Sequence, residues 1–177
     1  MANTYTLIQA QTLASSAASV TFSSIPATYT DLVLRISTRS NVVDFRDNDM
    51  IYFNGSGATT NYSFTYIRSL PGLTPSAGSG RASSTSSGQG LQSNGDSSTA
   101  NTFSSGEIYI PNYLVSANKP FSFVNYSENN TANDARLGAT ANLFSNTTAI
   151  SSITMLPQTG PSYMAGSSFY LYGIKNS

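Results

Sequence analysis

The feature that most constrains the fold of this chain is an alternation of apolar and polar side chains with a period of two residues. In residues 31–39, Leu32, Leu34 and Ile36 fall on one side of the segment, and Arg35 falls on the other. Successive side chains leave a β-strand on opposite sides, so the pattern indicates a strand with one buried face.

The same alternation predicts ten strands, with turn residues such as Asn54-Gly55 and Pro111-Asn112 between them. They are residues 5–13, 19–25, 31–39, 50–54, 62–68, 107–110, 121–127, 135–144, 151–156 and 168–174. No long segment has the apolar spacing of an amphipathic helix, and the best helix candidate, residues 11–19, is too rich in serine to be stable alone. We therefore expect one all-β domain over residues 1–177, an antiparallel two-sheet sandwich of jelly-roll-like type, with an immunoglobulin-like sandwich as the alternative.

One segment departs from this pattern. All but five of residues 69–102 are Ser, Thr, Gly, Ala, Asn, Gln or Pro, and none is aromatic. Such a segment buries too little apolar surface to offset its ordering entropy unaided. Two interpretations stay open: a long polar loop or arm insertion held by a neighbouring subunit, or a pair of irregular edge strands packed on the same domain.

The composition argues against most catalytic and cofactor chemistry. The sequence has no His, Cys or Trp, so Ser-His-Asp and Cys-His catalysis and the usual zinc, haem and iron–sulfur sites lack their residues. Eight basic residues cancel eight acidic ones, which disfavours nucleic acid as a partner. Unbroken apolar runs reach only four residues, which disfavours a membrane partner. We expect no cofactor and no enzymatic activity.

Two groups of carboxylates are candidates for chemistry. Asp44, Asp47 and Asp49 lie close enough in sequence to supply oxygen ligands to Ca²⁺, although the order matches no EF-hand loop, and a solvated turn is the simpler interpretation. Glu107 and Glu128 are the only glutamates, and they would have to face each other across a cleft to act as a glycosidase pair.

Aromatic residues suggest a binding surface. Tyr109, Tyr170 and Tyr172 fall between apolar residues of their strands, so some of these rings must point outward or toward a partner. Rigid rings commonly form subunit contacts, and they also stack on sugars. The candidate interface residues are Tyr62, Tyr66, Arg81, Tyr113, Tyr126 and Tyr163.

Several stretches resemble small virion proteins of tailed bacteriophages, notably those of cyanobacteria and other aquatic bacteria. They are TYTLIQAQTLASSAASVTFSSIPATYTDLVLRIS from Thr4, GEIYIPNYLVSANKPFSF from Gly106, ENNTAN from Glu128 and SFYLYGIKNS from Ser168. The likeness covers about half of the chain and leaves out residues 69–102. It lies in fold-determining patterns, so no active residue is carried over.

The resemblance implies a structural role on the virion. Similar proteins include capsid decoration, or cement, proteins, which are jelly-roll-like and often trimeric. It implies that this chain is assembled in the host cytoplasm, forms a homotrimer on the capsid surface, and bridges subunits of the major capsid protein. The alternative within the same particle is a tail-fibre tip or receptor-binding module that recognises host glycans.

Overall fold

The computed structural model describes residues 4–57, 59–70, 76–129 and 135–175, which form strands, turns and loops without a helix. Twelve strands follow one another along the chain. They are β1 (Tyr5–Thr12), β2 (Val20–Phe22), β3 (Asp31–Thr38), β4 (Arg46–Phe53), β5 (Tyr62–Leu70), β6 (Ser76–Thr85), β7 (Gly88–Asn94), β8 (Ser104–Ile110), β9 (Lys119–Ser127), β10 (Arg136–Phe144), β11 (Ile153–Pro157) and β12 (Ser168–Ile174).

The strands form an antiparallel two-sheet sandwich with jelly-roll connectivity. One sheet has eight strands in the order β1-β12-β3-β8-β9-β10-β5-β6, and the other has four in the order β2-β11-β4-β7. The orders β1-β12-β3-β8 and β2-β11-β4-β7 together are those of an eight-stranded jelly roll, in which successive strands alternate between sheets except at β4 and β7, which pair with each other. The hairpins β5–β6 and β9–β10 are insertions that widen the first sheet.

The core lies between the two sheets and is built from the alternating positions that the sequence predicts. Leu34 of β3 and Ile108 of β8 are opposite each other in the strand register, and both are fully buried. Phe53, Phe121 and Phe144 meet edge to face with ring centroids 5.0 and 5.4 Å apart. These contacts fix which face of each strand is turned inward.

All ten predicted strands are present, with shifted ends, and the helix candidate at residues 11–19 is not a helix. The largest shift is at β4, which begins at Arg46 rather than at residue 50. Asp47 and Asp49 therefore lie on a strand with buried side chains, and the solvated turn expected there is wrong.

The polar segment at residues 69–102 contributes two strands to this domain rather than a long loop. β6 is the edge strand of the eight-stranded sheet, and every residue of β7 is buried. Of the two interpretations, a pair of edge strands packed on the same domain describes the structure; residues 71–75 lie outside the described part of the chain.

Glycine makes the burial of β7 possible. A Cβ atom placed on Gly90 would lie 2.2 Å from the Phe123 ring, and one on Gly88 would lie 2.4 Å from the Phe121 ring. The backbone of β7 thus packs directly on the aromatic side chains of β9, so the phenylalanines supply apolar contacts that the segment itself lacks.

Arg39 holds the loop that follows β7. Its guanidinium donates to the carbonyl oxygens of Asp96, Ser98, Thr99 and Thr102 at 2.7–3.1 Å, and the residue is 5% exposed. Four charge-assisted bonds from one cation give this polar loop an anchor within its own chain.

Candidate interaction surface

The side of the eight-stranded sheet turned away from the four-stranded sheet is here called the outer face. In a half-buried strand this face is normally polar. In this protein its apolar members include Tyr5, Leu7, Val33, Ile67, Tyr109, Val124, Tyr126, Leu137, Ala139, Tyr170 and Tyr172. These positions are opposite in strand parity to the core residues, so they cannot pack between the sheets.

Exposed large apolar side chains are concentrated on the outer face. Nine such side chains occur among the described residues, and six of them lie on this face. Those six are Tyr5, Leu7, Ile67, Tyr109, Tyr126 and Leu137, with exposed fractions between 38% and 62%. A concentration of exposed apolar side chains on one face indicates a site of interaction.

The middle of the outer face carries one ion pair. The Arg35 Nε atom lies 3.1 Å from Glu107 Oε2 across β3 and β8. The Arg35 guanidinium carbon is also 5.7 Å from the Tyr5 ring centroid and 5.8 Å from that of Tyr172. The charges at the centre of this surface therefore neutralise each other, with aromatic rings around them.

Three of the six candidate interface residues lie in the core, so their assignment to an interface is wrong. Tyr62 stacks on Phe144 with centroids 4.8 Å apart, and its hydroxyl accepts the Phe53 N–H at 2.8 Å. Tyr113 and Tyr163 are fully buried, and their hydroxyls donate to the Pro26 carbonyl and to Asp49. Sequence alternation cannot show that a tyrosine hydroxyl has a buried partner.

The other three candidates lie at or near the surface. Tyr126 is 55% exposed on the outer face, and Arg81 is exposed on the edge strand β6. Tyr66 is half-buried on the opposite side of the sheet, where its ring lies over Gly80 and the Arg68 guanidinium carbon is 5.4 Å from its centroid. Of these three residues, Tyr126 and Arg81 lie on the outer face and Tyr66 does not.

Sequence reasoning missed most of the outer face, including Leu7, Ile67 and Leu137. The available signal was the presence of apolar side chains at both parities of a strand. It was noted for Tyr109, Tyr170 and Tyr172, and all three do lie on this face. Tyr109 is 38% exposed, and its hydroxyl donates to Asp31 at 2.8 Å.

The candidate calcium ligands do not form a metal site. Asp47 accepts backbone N–H groups from Asn48, Thr159 and Gly160 at 2.8–3.0 Å, while Asp44 is exposed in the preceding loop. Across the described ranges, no three His, Cys, Asp or Glu side chains are grouped to hold a metal ion. The carboxylate of Asp47 instead fixes the turn at residues 158–160.

Asp49 is a carboxyl group buried between the sheets. The hydroxyl of Tyr163 donates to it at 2.9 Å, and Thr38 and Asn125 donate at 3.3 Å. Burial is the main cause that raises the Asp49 pKa to about 7, and these hydrogen bonds offset part of the effect. The Tyr163 pKa is raised well above its usual value by burial and by the adjacent carboxyl group.

The two glutamates are not arranged as a catalytic pair. Glu107 is opposite Val124 in the register of β8 and β9, and Glu128 is four positions beyond Val124. Four residues of strand span about 13 Å, so the two glutamate backbones are offset by about that distance along the strand direction. Glu107 is in addition bound to Arg35.

No protein-family model matches this chain, and a search of curated proteins finds no significant match. In the part of the chain that the structure describes, no helix has the length and apolar character needed to cross a bilayer.

Proposed function

We propose that this chain is a non-enzymatic structural protein of a phage virion, a capsid decoration protein that binds its neighbours through neutral β surfaces. The neighbours are other copies of the chain and the major capsid protein. Binding several subunits across their junctions stabilises an assembled shell, because the bound state is favoured by mass action.

The observation that carries the proposal is the outer face. A broad sheet surface with six exposed large apolar side chains and a neutralised ion pair near its middle suits a protein partner, since interface cores are depleted in charge and enriched in tyrosine. The carboxylates of Asp47 and Asp49 accept hydrogen bonds from Gly160 and Tyr163, and so they stabilise local structure.

The fold and the composition agree with this role. Jelly rolls form viral capsid and lectin domains, although a fold does not by itself determine a function. Charged residues are only 9% of the sequence, and its net charge is zero. A protein that acts as a free monomer usually keeps its net charge away from zero to resist association.

The location and copy number of the chain in purified particles test the proposal. We expect a fixed ratio to the major capsid protein and loss of shell stability on heating when the chain is removed. A chain that is absent from particles, or that turns over a substrate, would contradict the proposal.

A tail-tip module that recognises glycans is the second candidate. It is favoured by Tyr66, whose ring lies over the Gly80 backbone with Arg68 against it, because sugar sites combine aromatic faces with polar groups. Saturable binding on a glycan array that Tyr66→Ala abolishes, and that Tyr126→Ala on the other side of the sheet leaves intact, would favour this candidate. An array without hits would favour decoration.

A further inference from the structure

We propose that the outer face pairs with the outer face of a second copy of this chain, so that the protein forms a two-fold dimer by sheet-on-sheet packing. The inference rests on the proposed function, because it names which neighbour covers the surface that carries that proposal. Three properties of the outer face support it: its area, its charge and its shape.

The area matches that of a stable interface. Eight neighbouring strands span about 34 Å across the sheet, and seven residues of each strand span about 23 Å along it. The outer face therefore offers about 800 Å² per copy, which is what one partner contributes to a standard protein–protein interface.

The charge of the outer face suits a second copy of the same face. Within the eight strands, the charged side chains on the outer face are Asp31, Arg35, Arg81 and Glu107, which sum to zero, and Glu128 lies at the rim beside Tyr126 and Leu137. Arg35 and Glu107 are neighbours on β3 and β8, the third and fourth strands of the sheet. A strongly charged partner would find no matching potential on this surface.

The shape suits a second twisted sheet. Two sheets with the same twist pack face to face at an aligned angle, as in β-sandwiches. Identical copies have identical twist, and a two-fold contact places the same patch on both sides. The most exposed large apolar side chains on this face are those of Tyr126, Ile67 and Leu137, at 55–62%. All three would be buried in the contact.

Face-to-face packing joins two copies only. It therefore predicts dimers in place of the homotrimer implied by the sequence resemblance, and sedimentation velocity over a concentration series separates the two. We expect the wild-type chain to sediment as a dimer at concentrations of about 10 µM and above.

Substitutions separate the outer face from other exposed apolar residues. Leu137→Lys and Ile67→Lys should each weaken dimerisation by roughly tenfold to a hundredfold, because a lysine would be buried in the contact. Val43→Lys is the matched control: Val43 is 90% exposed in the loop between β3 and β4, away from the outer face. Circular dichroism of each variant monitors the fold.

The ion pair gives a second test that keeps the fold intact. Arg35→Glu places like charges side by side on both copies and should shift the protein to monomer. The double variant Arg35→Glu/Glu107→Arg restores the pair within each copy, so it should dimerise again.

The possible outcomes are distinct. A monomer or a trimer at about 100 µM, or a dimer that Leu137→Lys and Ile67→Lys leave intact, would overturn the pairing. If the wild-type chain gives one of these results and still decorates shells, only the dimer inference fails. If the chain dimerises as described but is absent from particles, the pairing stands and the proposed function fails.

Discussion

At the scale of single residues, strand parity decides between core and surface. Leu34 and Leu137 illustrate this, since both are leucines on strands of the same sheet. Leu34 is fully buried, whereas Leu137 is 55% exposed on the outer face. The sequence alone predicts the side of Leu34 because its neighbour Arg35 marks the polar face, but the same marker misleads at Leu137, whose neighbour Arg136 is itself buried.

Leu34→Ala should lower the free energy of unfolding by about 2–5 kcal/mol, the range for truncating a buried leucine. The matched control, Leu137→Ala, should change it by less than about 0.5 kcal/mol in the monomer. Urea denaturation of both variants measures the difference. Equal effects would mean that the wrong face of the sheet has been assigned to the core.

Asp49 makes stability depend on pH in an unusual direction. Its folded-state pKa of about 7 is above the unfolded value of 3.8, so the folded protein binds this proton more tightly. The stability that protonated Asp49 contributes is therefore present in full below about pH 4, declines as the pH rises, and is lost above about pH 7.

We expect Asp49→Asn to flatten the decline in unfolding free energy between pH 4 and 7, because the amide stays neutral over this range. Asp44→Asn, at an exposed carboxylate, is the control for the loss of one negative charge. Denaturation at a series of pH values gives the slopes. The same slope in wild type and Asp49→Asn would show that Asp49 is ionised within the fold.

At the scale of elements, the sequence predicts strands where alternation is strong. It misses strands whose buried apolar contacts are supplied by side chains of other strands. Ten strands carry their own apolar side chains, and all ten were predictable. β6 and β7 have few such side chains, and β7 is buried because Gly88 and Gly90 let its backbone contact Phe121 and Phe123. Nothing in its local sequence shows that these rings exist.

Gly90→Val should therefore destabilise the fold by about 1–3 kcal/mol, because the added atoms overlap the Phe123 ring. Ser79→Val, on the exposed side of β6, introduces the same side chain without a clash and should be nearly neutral. Thermal unfolding of the two variants provides the measurement. If Gly90→Val is also neutral, β7 does not pack on β9 as described.

The candidate site follows the same logic. Tyrosines judged from sequence as interface residues divided into core members, such as Tyr163, and surface members, such as Tyr126. The buried hydroxyl partners that draw Tyr163 inward, above all Asp49, are 114 residues away in the chain. Only the fold brings them together, which is why the tyrosine pattern alone could not assign the surface.

At the scale of the whole molecule, the sandwich leaves one large surface unsatisfied. The inserted hairpins β5–β6 and β9–β10 widen the first sheet to eight strands, and the apolar side chains on its outer face have no partner layer among the described strands. A wide apolar sheet face is costly to leave in water, and assembly covers it. The two insertions thus connect the jelly roll to a role in assembly.

The most direct test of this account is a cryo-electron microscopy reconstruction of the particle that carries the chain. The account predicts density for the chain on the capsid surface, repeated with the symmetry of the shell and with its outer face covered by a second copy. Density confined to a tail tip, or a chain on the shell whose outer face is open to solvent, would contradict it.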